Sequence, residues 1–118
     1  MTKEFVTYEQ ALELKQLGFN DQCIASYNYE DLDIREFIGN EECLLLAPTF
    51  SQAFRWFRDK YNFHHFIEPI HMDGKVRYEY CVVNSSSDDK EFNEDVTRTY
   101  EDAEIECLNQ FINLIKNK

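Results

Sequence analysis

Apolar positions return along this chain at two periods, three to four residues in some stretches and two in another. Tyr8, Ala11, Leu12 and Lys15 recur at helical spacing, with Leu14 and Leu17 widening the apolar stripe. Thr7 stands just ahead, and Gln10 follows it by three residues, which makes the S/T-x-x-E/Q capping box. Gly18 is a natural left-handed stop, and Phe19 an apolar clasp behind it. A helix therefore opens the chain. The stretch PTFSQAFRWFRDKYN predicts a second one, again with a capping box, Thr49 and Gln52. Phe50, Ala53, Phe54, Phe57 and Tyr61 form its continuous stripe. Arg55, Arg58 and Asp59 point away from that stripe, and Trp56 lies off its centre. A third helix begins at Thr99, with Glu101, Asp102 and Glu104 in its first turn, where the helix dipole favours carboxylates. Asp102 is an imperfect box partner for Thr99. Ala103, Cys107, Leu108, Phe111, Ile112, Leu114 and Ile115 supply its buried side, and Lys116 and Lys118 bring the complementary sign at its end.

Between the second and third helices the period falls to two. Val76, Tyr78, Tyr80 and Val82 alternate cleanly after Asp73-Gly74, the pair that a type I′ turn favours because both central residues need positive φ. A β-hairpin over 63–83 follows. A two-residue loop places His65, Ile67, Pro69 and His71 on the face of Val76, Tyr78, Tyr80 and Val82, and this face is assigned to the core. The other face pairs Ile70 with Arg77, Glu68 with Glu79 and Phe66 with Cys81. Pro69 has no N–H for a ladder, so its strand belongs at an edge. The remaining segments are less periodic. Cys23 to Tyr29 is a strand candidate. Leu32, Ile34, Phe37 and Ile38 suit a short helix or an irregular segment, and 43–47 a strand or buried connector that Pro48 ends. NSSSDDKEFNED, residues 84–95, is acidic and Ser-rich, and it opens a solvated loop that runs to residue 98.

The near-identity of TYEQA, residues 7–11, and TYEDA, residues 99–103, is local. Both are helix starts with a Thr cap, acid in the first turn and an Ala facing the core, and the likeness decays beyond them, which favours convergent capping over internal duplication. The predicted fold is α+β: three helices packed on a small antiparallel sheet built around one β-hairpin, as a single domain over 1–118. A third strand comes from 23–29 or 43–47. The predicted core is Leu12, Phe50, Phe54, Phe57, Ile67, Tyr78, Tyr80, Val82, Leu108, Phe111 and Ile115.

Composition adds constraints. The chain has 118 residues, 43% of them hydrophobic and 15% aromatic, enough for one packed core. Twelve Lys and Arg face 23 Asp and Glu, for a net charge of −11. Such a surface repels phosphate backbones and anionic membranes, so direct nucleic-acid and membrane binding are disfavoured. The charge serves solubility, or else presents carboxylates in place of nucleic acid to a basic partner. No apolar run has signal-peptide or membrane-span character, and the four Cys form no CxxC pair. The expected compartment is the cytoplasm, with reduced thiols packed as small apolar residues.

No candidate chemistry is assembled. His64, His65 and His71 share one strand, with Cys81 on its partner, but a zinc site wants four ligands, or three and a water, and the rest are not in evidence. Glu68 opposite Glu79 is the one acid pair in register; Lys75 and Arg77 stand near enough to neutralise it. There is no GxSxG, no Cys–His signature, and three Gly cannot build a phosphate loop. A helix–hairpin–helix order faintly suggests a double-stranded RNA-binding domain, yet that fold wants Lys where this chain has Glu101, Asp102 and Glu104. Arg55, Trp56 and Arg58, with Lys60, form the basic and aromatic patch, which suits pairing with the chain's own acids or protein contact, since Trp and Arg are over-represented in interface hot spots. These three are the protein-contact candidates. No catalytic residue, metal or cofactor is assigned.

Three stretches carry a resemblance: FVTYEQALELKQLGF at 5–19, LLAPTFSQAFRWFRDKY at 45–61 (Leu44 extends the apolar run), and TYEDAEIECLNQFINLIK at 99–116. In them the chain resembles uncharacterised small proteins of phages and of Bacteroidetes prophage segments. The resemblance implies an origin in a mobile element and a place in the bacterial cytoplasm, and it implies no activity. The function expected from these readings is that of a non-enzymatic protein-binding or accessory protein, with a protein partner or as a homo-oligomer. The alternatives are an acidic inhibitor that mimics nucleic acid toward a host or defence protein, and a small enzyme whose site would be a pocket lined by the His residues or by Glu68 and Glu79.

Overall fold

The computed structural model describes residues 2–28, 31–38, 45–84, 90–92 and 96–117. Expectations for Tyr29, Cys43, Leu44, 85–89, 93–95 and Lys118 lie outside the described residues. Three helices and two small antiparallel sheets form the α+β fold that the periodicity predicts. After a single 3₁₀ turn, Thr2–Glu4, the elements are α1 (Tyr8–Gln16), β1 (Cys23–Asn28), β2 (Asp31–Ile38), β3 (Leu45–Leu46), α2 (Phe50–Tyr61), β4 (Phe63–Met72), β5 (Lys75–Asn84), β6 (Lys90–Phe92) and α3 (Tyr100–Lys116). Two compact units are distinguished, Met1–Ala53 and Phe54–Lys118.

In the first unit, α1 starts where the capping box requires. The Thr7 hydroxyl accepts from the Gln10 N–H at 3.2 Å, and the Gln10 side chain accepts from the Thr7 N–H at 3.0 Å. It stops at Gly18, whose φ of 97° is open to glycine at no steric cost. The Gly18 N–H reaches the Lys15 carbonyl and the Phe19 N–H the Leu14 carbonyl, the paired bonds of a Schellman stop, with Phe19 buried behind it. The buried side of α1 is Gln10, Ala11 and Leu14. Leu12, expected in the core, is 39% exposed, while Leu14 is fully buried. The helix is rolled relative to the expected stripe: in nine residues, Ala11 and Leu14 at i and i+3 suffice to define the inner face, and Leu12 falls to its flank.

The sheet of this unit runs β2-β1-β3. The stretch expected as a helix or irregular segment is the strand β2, antiparallel to β1 with Tyr27 opposite Leu32 and Ala25 opposite Ile34. The cause is non-local: β1 supplies a ladder that the segment's own letters do not reveal. β3 closes the other side, Ser26 opposite Leu46. Phe5, Ala25 and Ala47 form a small core, with Tyr27 and Leu32 against it. The Tyr27 hydroxyl donates to the Val6 carbonyl at 2.6 Å, so its polar tip is satisfied while its ring packs edge-on to Tyr8.

The stripe of α2 buries as predicted, with Phe50, Ala53, Phe54 and Phe57 inside. Its capping box is half formed. Thr49 accepts from the Gln52 N–H at 3.1 Å, but the Gln52 side chain donates instead to the Gln22 carbonyl at 2.6 Å. Asn62, at φ 60°, ends the helix, with its N–H on the Arg58 carbonyl.

The second unit is built on the ribbon. Asp73 and Gly74 have φ of 52° and 74°, the left-handed pair of a type I′ turn. The register is the expected one, His65 opposite Val82, Glu68 opposite Glu79 and Pro69 opposite Tyr78. The sheet order is β4-β5-β6, so β4 is the outer strand that Pro69 requires. Tyr78 exchanges both backbone bonds with Thr97, at 2.9 Å each, which makes Pro69–Tyr78 a non-hydrogen-bonded pair and turns the Pro69 nitrogen toward the open edge. Two expectations are corrected. The third strand is β6, from within the loop assigned to 84–98, because β5 offers Cys81, Val82 and Val83 as partners, whereas β1 and β3 belong to the other sheet. The chosen core face is buried only in the stem. Phe63 and Val82 are buried and His65, Ile67, Tyr78 and Tyr80 half-buried, but Pro69, His71 and Val76 are exposed. Ten-residue strands span roughly 33 Å, more than the helices cover, and the outermost aromatic contact from α3 is Tyr100 edge-on to Tyr78.

Thr99 caps α3 by accepting from the Asp102 N–H at 3.0 Å, without the reciprocal bond that Thr7 enjoys. Ala103, Cys107, Leu108, Phe111 and Ile112 are buried, and Ile115, expected in the core, is half-buried where the helix runs out. Among the described residues no helix is long and apolar enough to cross a membrane.

Candidate contact surface

The three contact candidates all sit on α2. Arg55 is exposed. Trp56 is half-buried, its ring edge-on to Phe57 at 5.1 Å and to Tyr61 at 5.7 Å. The cation over Trp56 is Lys60, with Nζ 4.8 Å from the ring centre and 5.5 Å from that of Tyr61. Lys60 stands one helical turn beyond Trp56, so its i, i+4 spacing was readable in advance. Arg58 is half-buried and its charge bears on His65. The outer ridge of α2 presents exposed Arg55 and Lys60 and half-buried Trp56 and Arg58, while Tyr61 packs its ring against Phe57 and Phe63.

His65 is the least expected occupant of the second unit. Its ring stacks on Phe54 with centroids 3.7 Å apart and planes 21° apart, and meets Phe111 edge-on at 5.9 Å. Its Nδ1 is buried and has no hydrogen-bond partner among the described residues. Burial, first, and then the charges of Arg58 and His64 lower its pKa to about 4. The alternation of β4 places His65 on the inner face; the two rings that enclose it come from α2 and α3 and leave no mark in the local sequence.

The other groups stay apart. Among the described residues no three His, Cys, Asp or Glu converge as metal ligands, and His64 turns instead to the Asn62 side chain at 3.0 Å. Glu68 and Glu79 face each other across the ladder as the register requires, Glu68 exposed and Glu79 half-buried. A shallow cavity of about 270 Å³ lies along the first turns of α3, lined by Val96, Thr97, Arg98, Asp102, Ile105 and Glu106. It contains neither the His residues nor that acid pair. Glu104 has its pKa raised by burial and by the neighbouring charge of Glu101, a sign of how closely α3 gathers its acids. Two buried thiols are held against ionisation: burial, then Asp21, pushes Cys23 up to about 12, and burial, then Cys81, raises Cys107 further.

No family model, no curated protein and no solved structure matches this chain.

Proposed function

We propose that this chain is a non-enzymatic protein-binding or accessory protein of the phage-derived bacterial kind it resembles, acting in the cytoplasm on a protein partner or on a second copy of itself. The observation that carries the reading is the ridge of α2: a half-exposed indole under a lysine, with Arg55 beside it, on a chain whose net charge is −11. A local cationic and aromatic ridge on an acidic protein suits a partner that brings carboxylates and an apolar pocket. The exposed acids of α3, Asp102 and Glu106, give a second copy the same complementary sign.

The test is affinity capture from bacterial host lysate with the tagged full chain, read by mass spectrometry, with sedimentation of the pure protein alongside. A Trp56→Ala, Arg55→Glu double variant weakens the specific association at least tenfold (about the loss expected of one hot-spot residue), while Lys75→Glu on the ribbon tip leaves it intact. A strictly monomeric protein that captures nothing, or a partner held equally by the double variant, overturns the reading. A basic nucleic-acid-binding partner that is released by salt and by neutralising the α3 acids identifies the decoy function instead.

A further inference from the structure

We propose that His65 is an acid-sensitive latch of the second unit: neutral, it joins α2, the ribbon and α3 through its stack with Phe54 and Phe111, and protonation drives that packing apart. The argument begins with the buried Nδ1 that has no partner among the described residues. A neutral imidazole carries one N–H and one lone pair. Leaving the lone pair at Nδ1 costs the least, so the proton of the neutral ring sits on Nε2. Adding a second proton places an N–H and a positive charge at an atom with no acceptor, between two hydrocarbon rings. A buried donor left unsatisfied is costly, and a charged one more so.

Among the described residues, the two charges that bear on the ring both oppose the proton. From α2 comes the Arg58 guanidinium, from β4 itself His64, and both are basic. From β5 the cross-strand neighbour is Val82, and from α3 it is Phe111, both apolar. Among the described residues no carboxylate charge bears on the titration of this ring. That is the arrangement of a group excluded from charging, not of one held in an ion pair. The unfolded chain has no such restriction and takes up the proton near the ordinary histidine value.

The sign follows from linkage. The folded pKa is depressed to about 4 from 6.5. Above the unfolded value both states are neutral at this position and it contributes no pH dependence. As the pH falls from 6.5 toward 4 the unfolded state binds a proton that the native state refuses, and stability declines through that window. The rings that part when the latch opens are Phe54, Phe57, Phe63 and Phe111, so the acid form exposes an aromatic cluster while the strands retain their ladders.

Two measurements on the full chain test this. The first follows the imidazole nitrogens of the wild type by NMR from about pH 7 to about pH 5. His65 is expected to keep the shifts of a neutral Nε2–H ring over that range. The second follows the thermal midpoint and the binding of an apolar dye. The wild-type Tm is expected to fall by roughly 5 °C between about pH 7 and about pH 5, allowing for partial solvent screening of the ring. His65→Phe keeps a flat ring in the stack and removes at least half of that fall. Arg58→Gln, which relieves the like charge, also reduces it. Wild-type His65 that titrates near the ordinary histidine value in the folded protein overturns the latch. So does a fall in Tm that is the same in wild type, His65→Phe and Arg58→Gln.

Discussion

Replacing Phe111 with Ala is expected to destabilise the second unit by about 3–5 kcal/mol, a large share of the total stability of a domain this size. Its ring is fully buried and touches Phe54 edge-on at 5.6 Å, Phe57 at 5.3 Å, Phe63 at 5.4 Å and His65 at 5.9 Å. It is therefore the point where α2, the ribbon and α3 meet. Removing it forfeits the transfer free energy of a whole phenyl group and leaves a cavity that four stiff neighbours cannot fill. Urea unfolding followed by near-ultraviolet circular dichroism measures the loss. A change below about 1 kcal/mol would mean that the ring is not central to the packing.

The second large effect lies in the first unit. Leu14→Ala should cost about 2–5 kcal/mol, because Leu14 is fully buried on the inner face of α1. Leu12→Ala, two residues away, should stay within about 0.5 kcal/mol, because Leu12 lies on the flank and keeps much of its surface in water. The contrast is sharper than either number. Equal losses at the two positions would restore the stripe that simple helical periodicity suggests and would reject the roll of α1 seen here.

What could be read from the letters was the local physics. Thr7 and Gln10 make a reciprocal cap because their side chains reach backbone groups three residues away. Gly18 and Asp73-Gly74 bend where positive φ is needed. The ribbon's register, Glu68 against Glu79 included, follows from turn length alone. What escaped were features decided at a distance. β2 is a strand because β1 lies beside it; Leu32, Ile34, Phe37 and Ile38 satisfy a helical pattern nearly as well. β6 emerges from an acidic stretch because β5 has an edge to fill. Val76 is exposed since the ribbon outreaches its helices, a matter of length rather than of pattern. On the candidate site, sequence named Arg55, Trp56 and Arg58 as one group by composition. Helix geometry puts Lys60 over the indole, and the charge of Arg58 bears on His65. The environment of His65 depends on two rings brought from elsewhere in the chain, and no local spacing announces that.

The projecting bend at Asp73-Gly74 has a practical side. Every residue from His71 to Val76 is exposed, and a methyl group placed at the Cβ position of Gly74 would meet nothing within 4 Å. The stem is anchored by the buried Phe63 and Val82, while the two-residue turn sets its register. A fluorophore attached at the exposed Met72 or Lys75 position would thus be carried on a stalk that leaves the two-residue turn, and with it the strand alignment, intact.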